Sequence, residues 1–150
     1  MRGTAMMFEE FALQAGQKKH NFQNGGDTFK LGIVDDTITP TVADATPTWS
    51  DYEANEVSDA GGYTAGGITL ANQSFAEADG VGTFDADDAT LAQNGSGFEN
   101  AWWGIIYNAS DPGLAAIAFV EMAGPVSEQA GPVAFRWGAA GILRFTANPS

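Results

Sequence analysis

Cysteine is absent from the 150-residue chain, histidine occurs once, and lysine and arginine together number only six. Without cysteine there is no disulfide framework and no thiolate metal site, and cysteine usage is silent on redox compartment. With His20 as the lone histidine, any nucleophile–histidine–acid triad or imidazole metal site has one residue to work with. Long apolar runs are missing too: no stretch approaches the ~18 residues of a membrane span. The opening "GTAMMFEEFALQAG" places two glutamates inside its apolar stretch, unlike a signal peptide. The chain is therefore expected to be soluble and made in a cytoplasm. Its N-x-S triplets at Asn72, Asn94 and Asn108 are then expected to be inert.

The scarce positive charge is confined to the ends. Arg2, Lys18, Lys19 and Lys30 stand near the start, Arg136 and Arg144 near the end, and nothing basic lies between Leu31 and Phe135. That interval holds 16 of the 19 acidic residues, and the net charge is −13. Such a surface repels polyanions, which argues against nucleic acid held through its phosphates and against an anionic membrane. What the chain has in plenty is apolar side chains, 44% with 17 aromatics, enough for a folded core in one domain despite 19 glycines.

Periodicity divides this single domain, residues 1–150, into an N-terminal helix or arm (1–26) and a β body (27–150). Phe8, Phe11, Ala12 and Ala15 fall on one helical stripe, predicting a helix from Met6 to about Asn21 with Thr4 as N-cap. Lys18, Lys19 and His20 suit the negative end of that helix, so His20 reads as a solvated C-terminal group. From Thr28 the period becomes two, with Phe29, Leu31 and Ile33 alternating against polar or small residues. A polar excursion follows over about 35–60, with Trp49 and Tyr52 as expected anchors. Further strands are expected at 68–70, 74–78, 82–86, 101–108, 114–122, 132–137 and 141–146. "AWWGIIYN" and "LAAIAFVEM" are apolar on both faces, which predicts central, doubly covered strands. The expected fold is an antiparallel β-sandwich or barrel-like domain with one N-terminal α-helix and a long polar excursion.

Chemistry is hard to find. The glycine-rich "DAGGYTAGGITL" (Asp59 to Leu70) lacks the lysine of a phosphate loop, and a β-prone run follows it where a helix is needed. It reads as a turn that needs positive φ and close backbone approach, with Tyr63 packed down as its anchor. "FDADDAT" gathers Asp85, Asp87 and Asp88. As a calcium loop it would need an oxygen ligand, a glycine and a glutamate where Ala89, Thr90 and Ser96 stand. It reads as an acidic turn closing a strand. Glu99 beside Trp102 and Trp103 is the most sugar-like group, though tryptophans in a doubly apolar strand are more often core. No catalytic, cofactor or metal residue is assigned.

The landmarks, in order, are "DTFKLGIVDDTITPT" (Asp27 to Thr41), "TWSDYEANEV" (Thr48 to Val57), "GGYTAGGITL" (Gly61 to Leu70), "FDADDAT" (Phe84 to Thr90), "WWGIIYNAS" (Trp102 to Ser110) and "GILRFT" (Gly141 to Thr146). This series resembles a group of small virion structural proteins of tailed bacteriophages, over nearly the whole chain from Asp27 onward. That group often has a basic residue before the aliphatic-Tyr strand, where this chain has Trp102-Trp103-Gly104. The resemblance implies a non-enzymatic virion component without cofactors. It points foremost to a capsid decoration (cement) protein on the outside of the shell. The implied partners are the major capsid protein and the chain itself, as a homo-oligomer, typically a trimer on local threefold axes.

Candidate contact residues are Phe8, Phe11, Trp49, Tyr52, Trp102 and Trp103, with Lys18 and Lys19 expected to grip an acidic shell. A neck or tail adaptor, tube or fibre component is the alternative in the same particle. A host-surface glycan-binding module, using Glu99, Trp102 and Trp103, is the alternative of another class.

Overall fold

The strands of this chain pair antiparallel throughout. The computed structural model describes residues 4–147. Its strands are β1 (Ala5–Met7), β2 (Phe29–Val34), β3 (Ile68–Thr69), β4 (Ser74–Ala78), β5 (Val81–Asp85), β6 (Ala89–Leu91), β7 (Ala101–Asn108), β8 (Ala116–Val126), β9 (Val133–Phe135) and β10 (Leu143–Thr146). Five make one sheet in the order β1-β8-β7-β2-β3; β10-β5-β4 and β6-β9 form two smaller ones. The expected mainly β, antiparallel fold is the observed one.

The large sheet is covered on both faces. Leu31, Ile33, Ile106, Ala118 and Val120 join Phe84, Leu91, Val133, Phe135 and Leu143 of the small sheets in one core. On the other face Val34, Ile105, Tyr107, Ala116 and Phe119 meet Phe8, Trp49 and Tyr52. Two apolar surfaces explain why β7 and β8 read as apolar on both sides: β7 lies between β8 and β2, and β8 lies between β1 and β7.

Trp49 and Tyr52 sit on α2 (Trp49–Tyr52), a single turn inside the excursion. The Asp51 carboxylate accepts from the Thr48 amide at 2.8 Å and its hydroxyl at 2.9 Å, fixing the entry to that turn. The Trp49 amide then donates to the Leu114 carbonyl at 2.9 Å, so the excursion is tied to the sheet, as expected of its anchors. The Trp49 ring stacks on Tyr107 with centroids 5.0 Å apart and planes at 7°.

The N-terminal helix is shorter than its periodicity implies. Helix α1 covers Phe11–Gly16, and Ala5–Met7 is strand instead, paired with Val120, Phe119 and Ala118 of β8. Pairing along an open sheet edge outweighs helix propensity in so short a segment. Of the expected stripe, Phe8 and Phe11 are buried, whereas Ala12 and Ala15 are exposed. Thr4 therefore precedes a strand and caps no helix. The helix ends where Lys18 takes a left-handed φ of 57°. The expected arm starts at residue 1, and residues 1–3 lie outside the described residues.

Candidate functional site

The glycine-rich segment is a clamp around two glutamates. Gly61, Gly66 and Gly67 all have positive φ, as a tight turn demands. A β-carbon on Gly67 would come within 2.5 Å of the Leu31 carbonyl oxygen, so this backbone lies directly on β2. Tyr63 is buried, as expected of an anchor, and its hydroxyl donates to Glu56 at 2.6 Å while accepting from the Ile33 amide at 2.9 Å. The same Glu56 oxygen accepts from the Gly66 amide at 2.7 Å, and the Tyr107 hydroxyl donates to the Gly66 carbonyl. Burial, and for Tyr63 the hydrogen-bonded Glu56 carboxylate, holds both phenols above the ordinary tyrosine range, Tyr107 at about 12.

Glu128 lies under the other end of the segment and is fully buried. Its Oε1 accepts from the Gly62 amide at 2.8 Å, and its Oε2 has no hydrogen-bond partner. Gly61, Gly62 and Gly97 crowd this carboxylate so closely that a β-carbon on any of them would lie within 2.9 Å of one of its oxygens. The Glu128 backbone bonds to Phe98 and Asn94, so the residue as a whole ties the glycine segment and the 94–98 loop to its own stretch of chain. Nothing in the sequence marks Glu128; the only signal is that the glycines facing it have no room for side chains.

His20 belongs to a second polar cluster and is not the solvated group that its place after the helix implies. Its ring stacks on Phe11 at 5.7 Å and 10°, with Phe22 and Phe29 nearby. Nε2 meets Gln14 Oε1 at 2.7 Å and Nδ1 meets Asn108 Nδ2 at 3.0 Å. Asn108, fully buried, also donates to Asp27 at 2.8 Å. Desolvation pushes the His20 pKa below 6.5, against the pull of Asp111 and Asp27. The chain folds back here after Lys18, bringing the imidazole onto a phenylalanine cluster that periodicity alone cannot place.

The aspartates of "FDADDAT" are engaged in holding the turn between β5 and β6. Asp87 accepts from Asn72 at 2.5 Å, Asp88 accepts from the Trp137 amide at 2.9 Å, and Asp85 accepts from the Ala86 amide at 2.9 Å. Among the described residues, no three His, Cys, Asp or Glu side chains converge in a way that could hold a metal ion.

Trp102 and Trp103 are both half-buried, and their rings go to different neighbours. Trp102 packs on Gly124 and donates to Asn100 at 3.0 Å, whereas Trp103 meets Phe119 edge-on at 6.1 Å. They do not form one stacking platform, and Glu99 is exposed in the loop before them. Among the other candidate contact residues, Phe8, Phe11, Trp49 and Tyr52 are buried in the chain's own core. Lys19 pairs with Asp111 at 3.3 Å, leaving Lys18 exposed.

Two grooves open at the surface. One, of about 390 Å³, runs between β8 and β9 and is lined by Met122, Val126, Phe135, Arg136 and Trp137 among others. The other, of about 490 Å³, lies between β1, α1 and β10. The fold and its polar clusters thus define an antiparallel β protein whose buried ionisable groups tie loops to sheet. No family model matches the chain, and no curated protein or solved structure is significantly similar to it.

Proposed function

We propose that the chain is a non-enzymatic building block of a tailed-phage particle, acting as a decoration protein that binds the major capsid shell from outside. The observation that carries this reading is how its polar groups are used. Glu56, Glu128, His20 and Asp27 are occupied in holding the excursion, the glycine segment and the N-terminal arm to the β body. Groups so occupied tie the loops to the sheet and stiffen the fold. The charge supports the outer face of a shell: an acidic surface with nothing basic from residue 32 to 134 is repelled by packaged DNA. The ordered series of motifs from Asp27 onward resembles that of small virion proteins of tailed phages, which supports the same particle.

The test is a purified virion fraction, with the copy number of this chain measured against the major capsid protein. A copy number matching the shell's threefold sites supports decoration. A copy number fitting a single ring assigns the chain to the neck or tail, and absence from virions overturns the reading.

A further inference from the structure

The chain contains the tripeptide Gln-Asn-Gly twice, as Gln23-Asn24-Gly25 and as Gln93-Asn94-Gly95. Asparagine before glycine is the pair most prone to deamidation, because no side chain shields the glycine amide nitrogen from the asparagine side-chain carbon. Local sequence therefore gives the two sites nearly the same intrinsic reactivity. The fold treats them in opposite ways.

Asn24 and Gly25 are exposed at the centre of a four-residue turn. The Gly26 amide closes that turn on the Gln23 carbonyl at 2.8 Å, and Gly25 takes the positive φ of 80° that its third position allows. The flanks are gripped from below: the Asp27 amide donates to the Asn21 carbonyl at 2.9 Å, and Gln73 Nε2 donates to the Gln23 and Asp27 carbonyls, each at 2.9 Å. Among the described residues, none of these bonds engages the peptide between Asn24 and Gly25, and the Asn24 side-chain amide has no partner. That peptide can rotate while the turn stays closed. A β-carbon on Gly25 would have nothing within 4 Å, so the space beside it is open.

Asn94 is half-buried and held at three points. Its amide donates to the carbonyl of buried Glu128 at 3.0 Å, its carbonyl accepts from the Gly97 amide at 2.9 Å, and its Oδ1 accepts from the Ser96 amide at 2.9 Å. The carbonyl bond fixes the peptide whose nitrogen would attack, and the Oδ1 bond fixes the group it would attack.

We propose that Asn24 is a site of spontaneous deamidation and that the fold shields Asn94 from the same reaction. The Gly25 amide nitrogen, having given its proton to solvent hydroxide, bonds to Cγ of Asn24. The Cγ–Nδ2 bond breaks, and Nδ2 leaves as ammonia with a proton from water. Water then opens the cyclic imide at either carbonyl, leaving aspartate or isoaspartate at position 24 and a new carboxylate on the turn. The net reaction consumes water and releases ammonia.

Ageing the full chain in mildly alkaline buffer, folded and in denaturant, tests this. Trypsin, cutting after Lys19 and Lys30, frees Asn24 in a short peptide, whereas Asn94 stays in the long stretch without lysine or arginine. Tandem mass spectrometry then follows the amide-to-acid mass gain at each site, and an isoaspartyl methylation assay follows the isomer. In the folded chain Asn24 is expected to convert roughly tenfold or more faster than Asn94, which must first give up two hydrogen bonds. In denaturant the two rates are expected to converge. Asn24→Gln, whose longer side chain disfavours the ring, is expected to remove isoaspartate from the short peptide. A rate ratio no greater in the folded chain than in denaturant overturns the proposal. So does an Asn24 that stays intact in the folded chain while the denatured chain reacts, or isoaspartate in the short peptide that survives Asn24→Gln.

Discussion

A β-carbon on Gly97 would stand 2.3 Å from Oε2 of Glu128 and 2.7 Å from its Cβ. Glu128 is fully buried and is held through Gly62, so it has nowhere to swing. Gly97→Ala is expected to cost about 1–3 kcal/mol through overpacking. Gly95→Ala, two residues earlier with nothing within 4 Å of the added carbon, is expected to stay within about 0.5 kcal/mol of wild type. Denaturant midpoints of the two variants check this; equal losses would mean that the Glu128 cradle is not what requires a glycine at 97.

Gly32 plays the same part for Trp49. An added β-carbon would lie 2.3 Å from the indole ring, which has β2 beneath it and Tyr107 stacked at 5.0 Å. Gly32→Ala is expected to push the indole off the sheet and destabilise the fold by about 1–3 kcal/mol. The near-ultraviolet circular dichroism of the tryptophans should weaken as the stack is lost. A variant that keeps both stability and aromatic signal would contradict this account of the excursion's anchor.

These two glycines mark the boundary of what was legible in the sequence. Alternation placed β2, the short segments expected at 74–78 and 101–108 coincide with β4 and β7, and the doubly apolar runs of β7 and β8 announced two covered faces. Trp49, Tyr52 and Tyr63 stood out as aromatics in polar surroundings, and all three are buried anchors. Strands β1 and β6 escaped because three residues carry too little pattern; they exist through their partners β8 and β9. The polar clusters escaped for a related reason. Glu128 meets Gly62 across 66 positions and Asn108 meets His20 across 88, separations at which no local spacing rule operates.

Tyr63→Phe tests the joint between the glycine segment and β2. The hydroxyl donates to Glu56 and accepts from Ile33, a buried amide in the sheet. Removing it leaves that amide without its acceptor and Glu56 with the Gly66 amide alone. The expected loss is about 1–3 kcal/mol, the cost of an unsatisfied buried group. Hydrogen exchange adds a local readout, with the Ile33 and Gly66 amides exchanging faster than those of β7. Unchanged protection at Ile33 would show that the phenol is not its acceptor.

His20 gives the fold a pH dependence whose sign can be worked out. Asn108 Oδ1 accepts from the Ser110 and Asp111 amides, which fixes Nδ2 as the end facing the imidazole. A donor on that side requires His20 Nδ1 to be the bare acceptor, with the ring proton on Nε2 toward Gln14. A second proton, at Nδ1, would confront a donor with a donor. Burial accordingly lowers the pKa from 6.5, with Lys19 assisting and Asp111 and Asp27 opposing. The unfolded chain then takes up its proton at higher pH than the folded one. The stabilisation is complete above the unfolded value and is lost as pH falls through the folded one. Because His20 is the only histidine, its ring resonances can be followed without ambiguity in a proton NMR titration. The midpoint is expected below 6.5 in the native protein, and Asn108→Ala, which removes the opposing donor, should raise it. A native midpoint above 6.5 would mean that the two aspartates outweigh burial, and the fold would then gain stability from His20 on acidification.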